Sequence, residues 1–391
     1  MASGMSLSEN SFADSQQATT RSWPPTEELA WRLALKALAK GESAQANESS
    51  APEQRRILIS SLHRGQTAHR LAELGHEVTL FEFEHYRFRL LQTLLAAHPK
   101  LHIVCNPDPP TATTFDLVVL SVRRDWGAEL TRDLLQAFAE CLAADGTLIV
   151  VADHPDDQWL GDQLRDFSKQ VKRYTANGNE ASGQANLGAT AYLLPSGHLK
   201  VRKRDFHCQF AFRDRGRLLH VVTRPGVFSH RKLDLGARRL MDAMEVHSGQ
   251  RVLDIGCGSG VVAFAAAARS EDIRVVAIDS NSRAIDCVEQ GVCLNQMQYQ
   301  VEPILSSDGS VPGYQPGDFD VALANPPYFA NLQIAELFLS AAQVALKPGG
   351  TVWVVGKQPE WYRTNVPRWF DNVELQLVGG GYCIAKGRRP T

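Results

Sequence analysis

From Arg56 onward, short apolar runs alternate with longer amphipathic stretches. ILISSL, VTLFEF, HIVC, FDLVVLSV and GTLIVV read as strands, with polar turns and segments of helical period between them. Strands alternating with helices predict a mostly parallel sheet covered on both faces. A second series starts at Arg251 with RVLDIG, RVVAID, VEPILSSDG, FDVALA and GTVWVV. It closes on VELQLV and YCIAKG around a glycine triplet, which predicts an antiparallel last strand. Residues 1–50 are rich in Ser, Ala, Gln, Asn and Glu, and only Glu27–Ala39 (EELAWRLALKALA) has helical apolar spacing. That pattern predicts a flexible low-complexity tail carrying one short helix.

The two series repeat one another. Phe115–Val151 and Phe319–Val355 align without a gap at an offset of 204, each reading Phe-Asp, strand, insert, amphipathic helix, Gly-Thr turn and strand. The expectation is an α/β chain of two tandem Rossmann-like domains. Residues 51–196 form a degenerate copy, 197–225 a basic β-hairpin linker and 226–391 the active copy. The copies differ where chemistry would occur. At an offset of 195, Asp254, Gly256 and Gly258 face Ile59, Ser61 and His63, and only Gly260 keeps its counterpart, Gly65. Asn325-Pro326-Pro327-Tyr328 faces Ser121-Val122-Arg123-Arg124, whereas Glu82 still matches Asp279 at an offset of 197.

Composition is that of an ordinary soluble globular protein, with 44% hydrophobic and 21% charged residues, which excludes disordered and fibrous classes. No apolar run approaches the roughly 18 residues of a membrane helix, and the N-terminus lacks the basic and apolar regions of an export signal. The seven cysteines show no zinc-ligand spacing and read as reduced thiols, so a cytoplasmic protein without a metal or a membrane partner is expected. The formal net charge of −2 argues against a nucleic-acid partner until it is resolved along the chain. Lys200–Arg239 holds 12 Lys/Arg against 3 Asp/Glu, a local net of +9. Lys200, Arg202, Lys203 and Arg204 become candidate phosphate contacts.

Val252–Gly260 (VLDIGCGSG) is a buried strand turning through three glycines into the apolar helix VVAFAAAA. Glycines suit a tight turn whose backbone approaches a ligand at a helix N-terminus. The order G-x-G-x-G after Asp254 is neither the dinucleotide fingerprint nor a phosphate loop. Asp279, at the tip of the next strand, is placed to accept hydrogen bonds from ribose hydroxyls, and Asp308 to reach an adenine amino group. Together they describe an adenosine-bearing ligand without a pyrophosphate. Asn325-Pro326-Pro327-Tyr328-Phe329 ends the fourth strand, where two prolines forbid continuation and ligands bind. The Asn325 side-chain oxygen and the Pro326 carbonyl can accept N–H bonds from an amine or amide nitrogen as it becomes tetrahedral and positive during methyl transfer. Tyr328 supplies a stacking face.

The D-x-G-x-G-x-G loop, Asp279 and N-P-P-Y together resemble the class I S-adenosylmethionine (AdoMet)-dependent methyltransferases. Arg224–Ser229 (RPGVFS) and Lys232-Leu233-Asp234 resemble a segment of the ribosomal RNA guanine-N2 methyltransferases, a family with small-subunit and large-subunit members. The resemblance covers roughly residues 55–391. It implies AdoMet over Asp254, Gly256, Gly258, Gly260, Asp279, Asp308 and Asn325, and Asn325, Pro326, Pro327 and Tyr328 as the catalytic motif. Phe228, Lys232 and Phe329 would lie beside the RNA. It further implies that the partner is ribosomal RNA, free or within a ribosomal subunit, and that the first copy lost cofactor binding and helps fold the protein or dock RNA. The N-P-P-Y form is shared with adenine-N6 and glutamine-N5 methyltransferases, so three acceptors stay open, beside a non-enzymatic RNA-binding role in ribosome assembly.

Overall fold

The computed structural model describes residues 23–42, 54–176, 188–327 and 332–391. The first sheet comprises β1 (Arg56–Ile59), β2 (Glu77–Glu82), β3 (Leu101–Cys105), β4 (Phe115–Val122), β5 (Leu142–Ala152), β6 (Lys172–Ala176) and β7 (Ala189–Pro195). Its strand order is β3-β2-β1-β4-β5-β7-β6. A hairpin follows, β8 (Cys208–Asp214) and β9 (Arg217–Thr223). The second sheet is built from β10 (Arg251–Ile255), β11 (Arg274–Asp279), β12 (Val301–Leu305), β13 (Phe319–Ala324), β14 (Leu346–Gly356), β15 (Asp371–Val378) and β16 (Tyr382–Arg388). Its order, β12-β11-β10-β13-β14-β16-β15, repeats the first position by position. In each sheet the last strand in sequence, β7 or β16, runs antiparallel to both its neighbours. Both are Rossmann-like, mostly parallel sheets with an antiparallel last strand.

The likeness of the copies extends to atoms. Phe115 pairs with Leu142 and Leu117 with Thr147, and Phe319 pairs with Leu346 and Val321 with Thr351, with the same irregularity after the first pair. Asp116 accepts the backbone N–H of Arg56 at 2.8 Å, and Asp320 accepts that of Arg251 at 2.8 Å. Gly65 and Gly260, at φ +69° and +80°, each open the helix that follows the first strand of their sheet, a left-handed position that favours glycine.

The helices are α1 (Pro25–Glu42), α2 (Gln66–Glu73), α3 (His85–Leu94), α4 (Ala128–Glu140), α5 (Trp159–Phe167), α6 (Leu235–Ala243), α7 (Val261–Ala267), α8 (Ser282–Asn295), α9 (Gln333–Ala345) and α10 (Pro359–Asn365). The tail expectation requires correction over α1, which is docked. Leu29, Ala30, Leu33 and Ala34 recur at helical spacing and are buried with Ile57, Leu117 and Ile149 on one face of the first sheet. Residues 1–22 and 43–53 lie outside the described residues.

The basic linker also differs from expectation. A tight turn through Arg215 and Gly216, both at positive φ (+43° and +85°), joins β8 to β9. Phe212, Leu219 and Val221 of this hairpin share a core with Leu240, Met241 and Phe264, so it is packed as part of the second domain. The run at 200–204 lies instead on the first domain: Lys200 N–H donates to Phe167 O, Arg204 N–H to Gln136, and Lys203 pairs with Glu140. Arg224, Arg231 and Arg238 are paired with Asp108, Glu129 and Asp214. Of the twelve cations, Lys203, Arg224 and Arg231 are thus matched by acidic groups from outside the segment, whereas Asp214 is already counted in its +9. Among the described residues no helix is long and apolar enough to cross a membrane.

Candidate active site

The β10 to α7 turn forms the floor of a cleft. Gly256, Gly258 and Gly260 all adopt positive φ (+70°, +53° and +80°), and a Cβ on Gly256 would lie 2.5 Å from the Phe338 ring. Asp279 holds this turn from the next strand: one carboxylate oxygen accepts Gly258 N–H at 2.8 Å and the other Asn281 N–H at 2.9 Å. Asp254, on β10, is 2% exposed, and its Oδ2 has no hydrogen-bond partner among the described residues. Burial raises its pKa to about 7, helped by the nearby Asp279. Asp308 follows β12, accepting from Ser310 Oγ and N–H, which holds its pKa low.

Asn325 caps β13 at the rim of the same cleft. Its Nδ2 donates to Asp234 Oδ2 at 3.0 Å. A carboxylate accepts and does not donate, so this bond fixes the amide orientation and turns Oδ1 away. That oxygen is buried without a partner among the described residues. An orphaned buried acceptor costs about 1–3 kcal/mol unless a partner satisfies it, and Asn325 lines the cleft. Gly236 makes room: a Cβ there would stand 2.8 Å from both Asn325 Oδ1 and Asp234 Oδ2.

The structure thus brings Asp254, Gly256, Gly258, Asn325, Phe228 and Lys232 around one cleft. Gly260 and Asp279 shape its floor from behind. Asp308 stands apart from the lining of this cleft, beyond β12, and Lys200–Arg204 lie on the first domain. Pro326 and Pro327 follow Asn325, whereas Tyr328 and Phe329 lie outside the described residues. Asp234 and Gly236 were missed as site residues. An aspartate before the amphipathic run LGARRLMDA signals a helix N-cap, and Asp234 does accept Ala237 N–H at 2.8 Å. Its second duty to Asn325, 91 residues on, is written only in the tertiary structure.

The first copy lines the equivalent space with its own charged side chains. Arg87 donates to Glu82 at 2.8 Å and to the carbonyls of Ser61 and His63. Glu27 of α1 accepts Thr67 N–H and Oγ1 near the α2 N-terminus, and also the Ser61 hydroxyl. That copy then braces the second one. Phe83 O accepts Ser282 N–H and Oγ, both at 2.9 Å, and His85 N–H donates to Ser280 O at 2.7 Å. Ser280 Oγ donates to Glu84, whose pKa burial and the Asp279 charge push up to about 7. The residues after Asp279 are therefore gripped from the degenerate domain.

Residues 218–386 match the family described as methyltransferase small domain. The C-terminal part of this chain is a methyltransferase domain. Methyltransferases of this family draw their methyl group from S-adenosylmethionine, and the chain is an AdoMet-dependent methyltransferase. The chain is similar to the ribosomal RNA small subunit methyltransferase C of Shewanella loihica, 25% identical over 86% of this chain and 95% of that relative. It is 32% identical to the ribosomal RNA large subunit methyltransferase G of Aeromonas hydrophila, over 41% of this chain and 43% of that protein. The T. thermophilus 16S rRNA N2 methyltransferase RsmC, solved in complex with AdoMet and guanosine, shares the fold with a TM-score of 0.72 at 20% identity, over 93% of this chain and 92% of that one. The duplicated architecture is thus common to both proteins.

The residues present fit that cofactor. Three glycines let the backbone approach a ligand, and the unpartnered, buried Asp254 Oδ2 offers an acceptor of the kind the ammonium group of such a ligand requires.

Proposed function

We propose that the chain methylates an exocyclic amine of a ribosomal RNA base, guanine N2 being the acceptor. The carrying observation is Asn325 Oδ1, an orphaned acceptor fixed beside the glycine loop. In this reading Asp254, Gly256, Gly258 and Gly260 hold AdoMet, Asp279 orders the loop and meets the ribose, and Asp308 serves the adenine side. The donor supplies an electrophilic methyl group. Asn325 Oδ1 and Pro326 O accept the amine N–H bonds, which favours the tetrahedral, positively charged nitrogen before its proton leaves for solvent. Alignment of nitrogen and methyl can contribute on the order of 7 to 11 kcal/mol, so no dedicated base is demanded. Tyr328 and Phe329 would stack the extruded base, with Phe228 and Lys232 at the rim. The relatives named above, which act on ribosomal RNA by name, favour this acceptor over adenine N6 or protein glutamine N5. Tritiated AdoMet incubated with separated ribosomal RNA and protein fractions should label RNA, and nuclease digestion should release the label as N2-methylguanosine. Label in protein or in N6-methyladenosine would transfer the assignment to that acceptor.

The same reading predicts a pH dependence of cofactor binding. Asp254 has its pKa raised from the ordinary carboxylate range to about 7. In the free protein its contribution to stability is full below about pH 4 and is lost as the pH rises toward 7. A cationic ligand reverses that preference by favouring the carboxylate. The AdoMet Kd should therefore fall by up to about tenfold per pH unit between pH 5 and 7 and level off above. Calorimetry across this range should show a nearly flat profile for Asp254→Asn, and an equally steep profile in that variant would remove Asp254 from the role.

A further inference from the structure

The degenerate domain retains a cavity of about 330 Å³ at the carboxyl ends of β1, β2 and β4. That volume lies at the lower end of the roughly 300–1,000 Å³ of small-ligand pockets. Its walls combine aromatic side chains, Phe81, Phe83, Trp126 and Phe138, with the charged Glu82, Glu84 and Arg87, and the Phe83 and Trp126 ring centroids are 5.8 Å apart. Ser60, Ser121 and the exposed Arg123 supply polar groups at strand ends and mouth. This space is not a second cofactor site. The acid that would meet a ribose, Glu82, is already bonded to Arg87, and no glycine loop remains.

The cavity neighbours the active site through one short segment of chain. Gly226 lines it, and Phe228, two residues on, lines the methyl-transfer cleft and is 38% exposed. Two Cα steps span at most about 7.6 Å, close to two stacked-nucleotide rises of about 3.4 Å each. Gly226 O accepts Asn281 Nδ2 at 2.9 Å, two residues after Asp279, which ties this shared wall to the cofactor loop. A single strand with one base in the cleft can therefore pass Phe228 and present a neighbouring base to the aromatic cavity.

We propose that this cavity of the degenerate domain holds a second unstacked nucleobase of the RNA substrate, close in sequence to the methylated base. The inference rests on the assignment of RNA as substrate. Aromatic walls bind any base through its π face, so the cavity adds affinity and register, while the acceptor is chosen in the cleft.

The test uses the full chain, tritiated AdoMet and deproteinised ribosomal RNA. Trp126→Ala should raise the KM for RNA about tenfold, with kcat and the AdoMet Kd within twofold of wild type. Trp126→Phe, which keeps an aromatic face, should restore most of the loss. Leu62→Trp, which places an indole at the cavity without removing a wall, should raise KM as Trp126→Ala does, and it decides the matter if the alanine variant fails to fold. Wild-type KM in Leu62→Trp and in folded Trp126→Ala would overturn the proposal while leaving RNA as substrate. A wild-type protein that labels RNA neither in this form nor in intact ribosomal subunits overturns the substrate assignment and this inference with it. Calorimetry with free adenosine and guanosine separates the sources of a base: micromolar binding lost in Leu62→Trp, with RNA KM unchanged, would make the cavity a nucleoside site instead.

Discussion

Asn325→Ala is expected to lower kcat by about a thousandfold or more while leaving the AdoMet Kd within a few-fold of wild type. The side chain contributes one acceptor, Oδ1, and one donor, Nδ2, which is spent on Asp234 at 3.0 Å. In the proposed reaction the acceptor meets a nitrogen that gains positive charge only as the methyl group arrives, so its loss falls on the transition state. Removal of one such preorganised group typically costs about a hundred- to a thousandfold, and alanine also removes the group that positions the amine for attack. Single-turnover methylation and calorimetry together read the two quantities. A variant that turns over at a tenth of the wild-type rate would displace Asn325 from the centre of the reaction.

Asp234→Asn sharpens that expectation. Asparagine is an N-cap about as good as aspartate, so α6 should keep its start and the fold its stability. What is lost is the rule that fixes Asn325: an amide can donate as well as accept, which leaves both orientations of Asn325 available. The rate should fall by roughly ten- to a hundredfold at unchanged AdoMet affinity. A loss of stability with an unchanged rate would identify Asp234 as a cap and nothing more.

These two residues also show what the sequence could and could not disclose. The strands of each copy, the glycine turn, and the places of Asp279 and Asn325 at strand ends were legible because each is fixed by a local rule: period, turn chemistry, or a proline pair that ends a strand. The repeat offset of 204 was legible because both copies need Phe-Asp and Gly-Thr at the same turns, where Asp116 and Asp320 accept equivalent backbone N–H groups. Asp234 was hidden because its partner lies 91 residues away. The docking of α1 was hidden because low-complexity sequence around it masks an apolar face that needs the first sheet to be recognised. Glu27 gave no signal at all; its partners Ser61 and Thr67 are visible only once α1 has packed. Net charge could not disclose which cations are paired, since Lys203, Arg224 and Arg231 of the +9 segment meet Glu140, Asp108 and Glu129, all far away in sequence.

The second large effect concerns the join between the copies. Arg283 is fully buried and belongs to α8, which starts three residues after Asp279. It donates to Asp133 at 2.7 Å and Pro107 O at 2.9 Å in the first domain, and to Pro225 O at 3.1 Å. Arg224, 3% exposed, shares Asp108 and Asp133 with it and also meets Asp286. Two guanidiniums close together are tolerable only because carboxylates from both domains surround them. Arg283→Ala removes one cation and leaves the 13% exposed Asp133 side chain with less compensation, a change of the kind that costs about 3–5 kcal/mol. Thermal unfolding should fall by about 10 °C. The AdoMet Kd should also weaken several-fold, because Asp279 and α8 are no longer anchored to the first domain. Asp108→Asn, at a side chain 45% exposed, should cost much less. If Arg283→Ala melted within about 2 °C of wild type and bound AdoMet normally, the degenerate copy would not be what holds the ribose loop in place. The contacts of Phe83 and His85 with Ser280 and Ser282 would then have to carry that role alone.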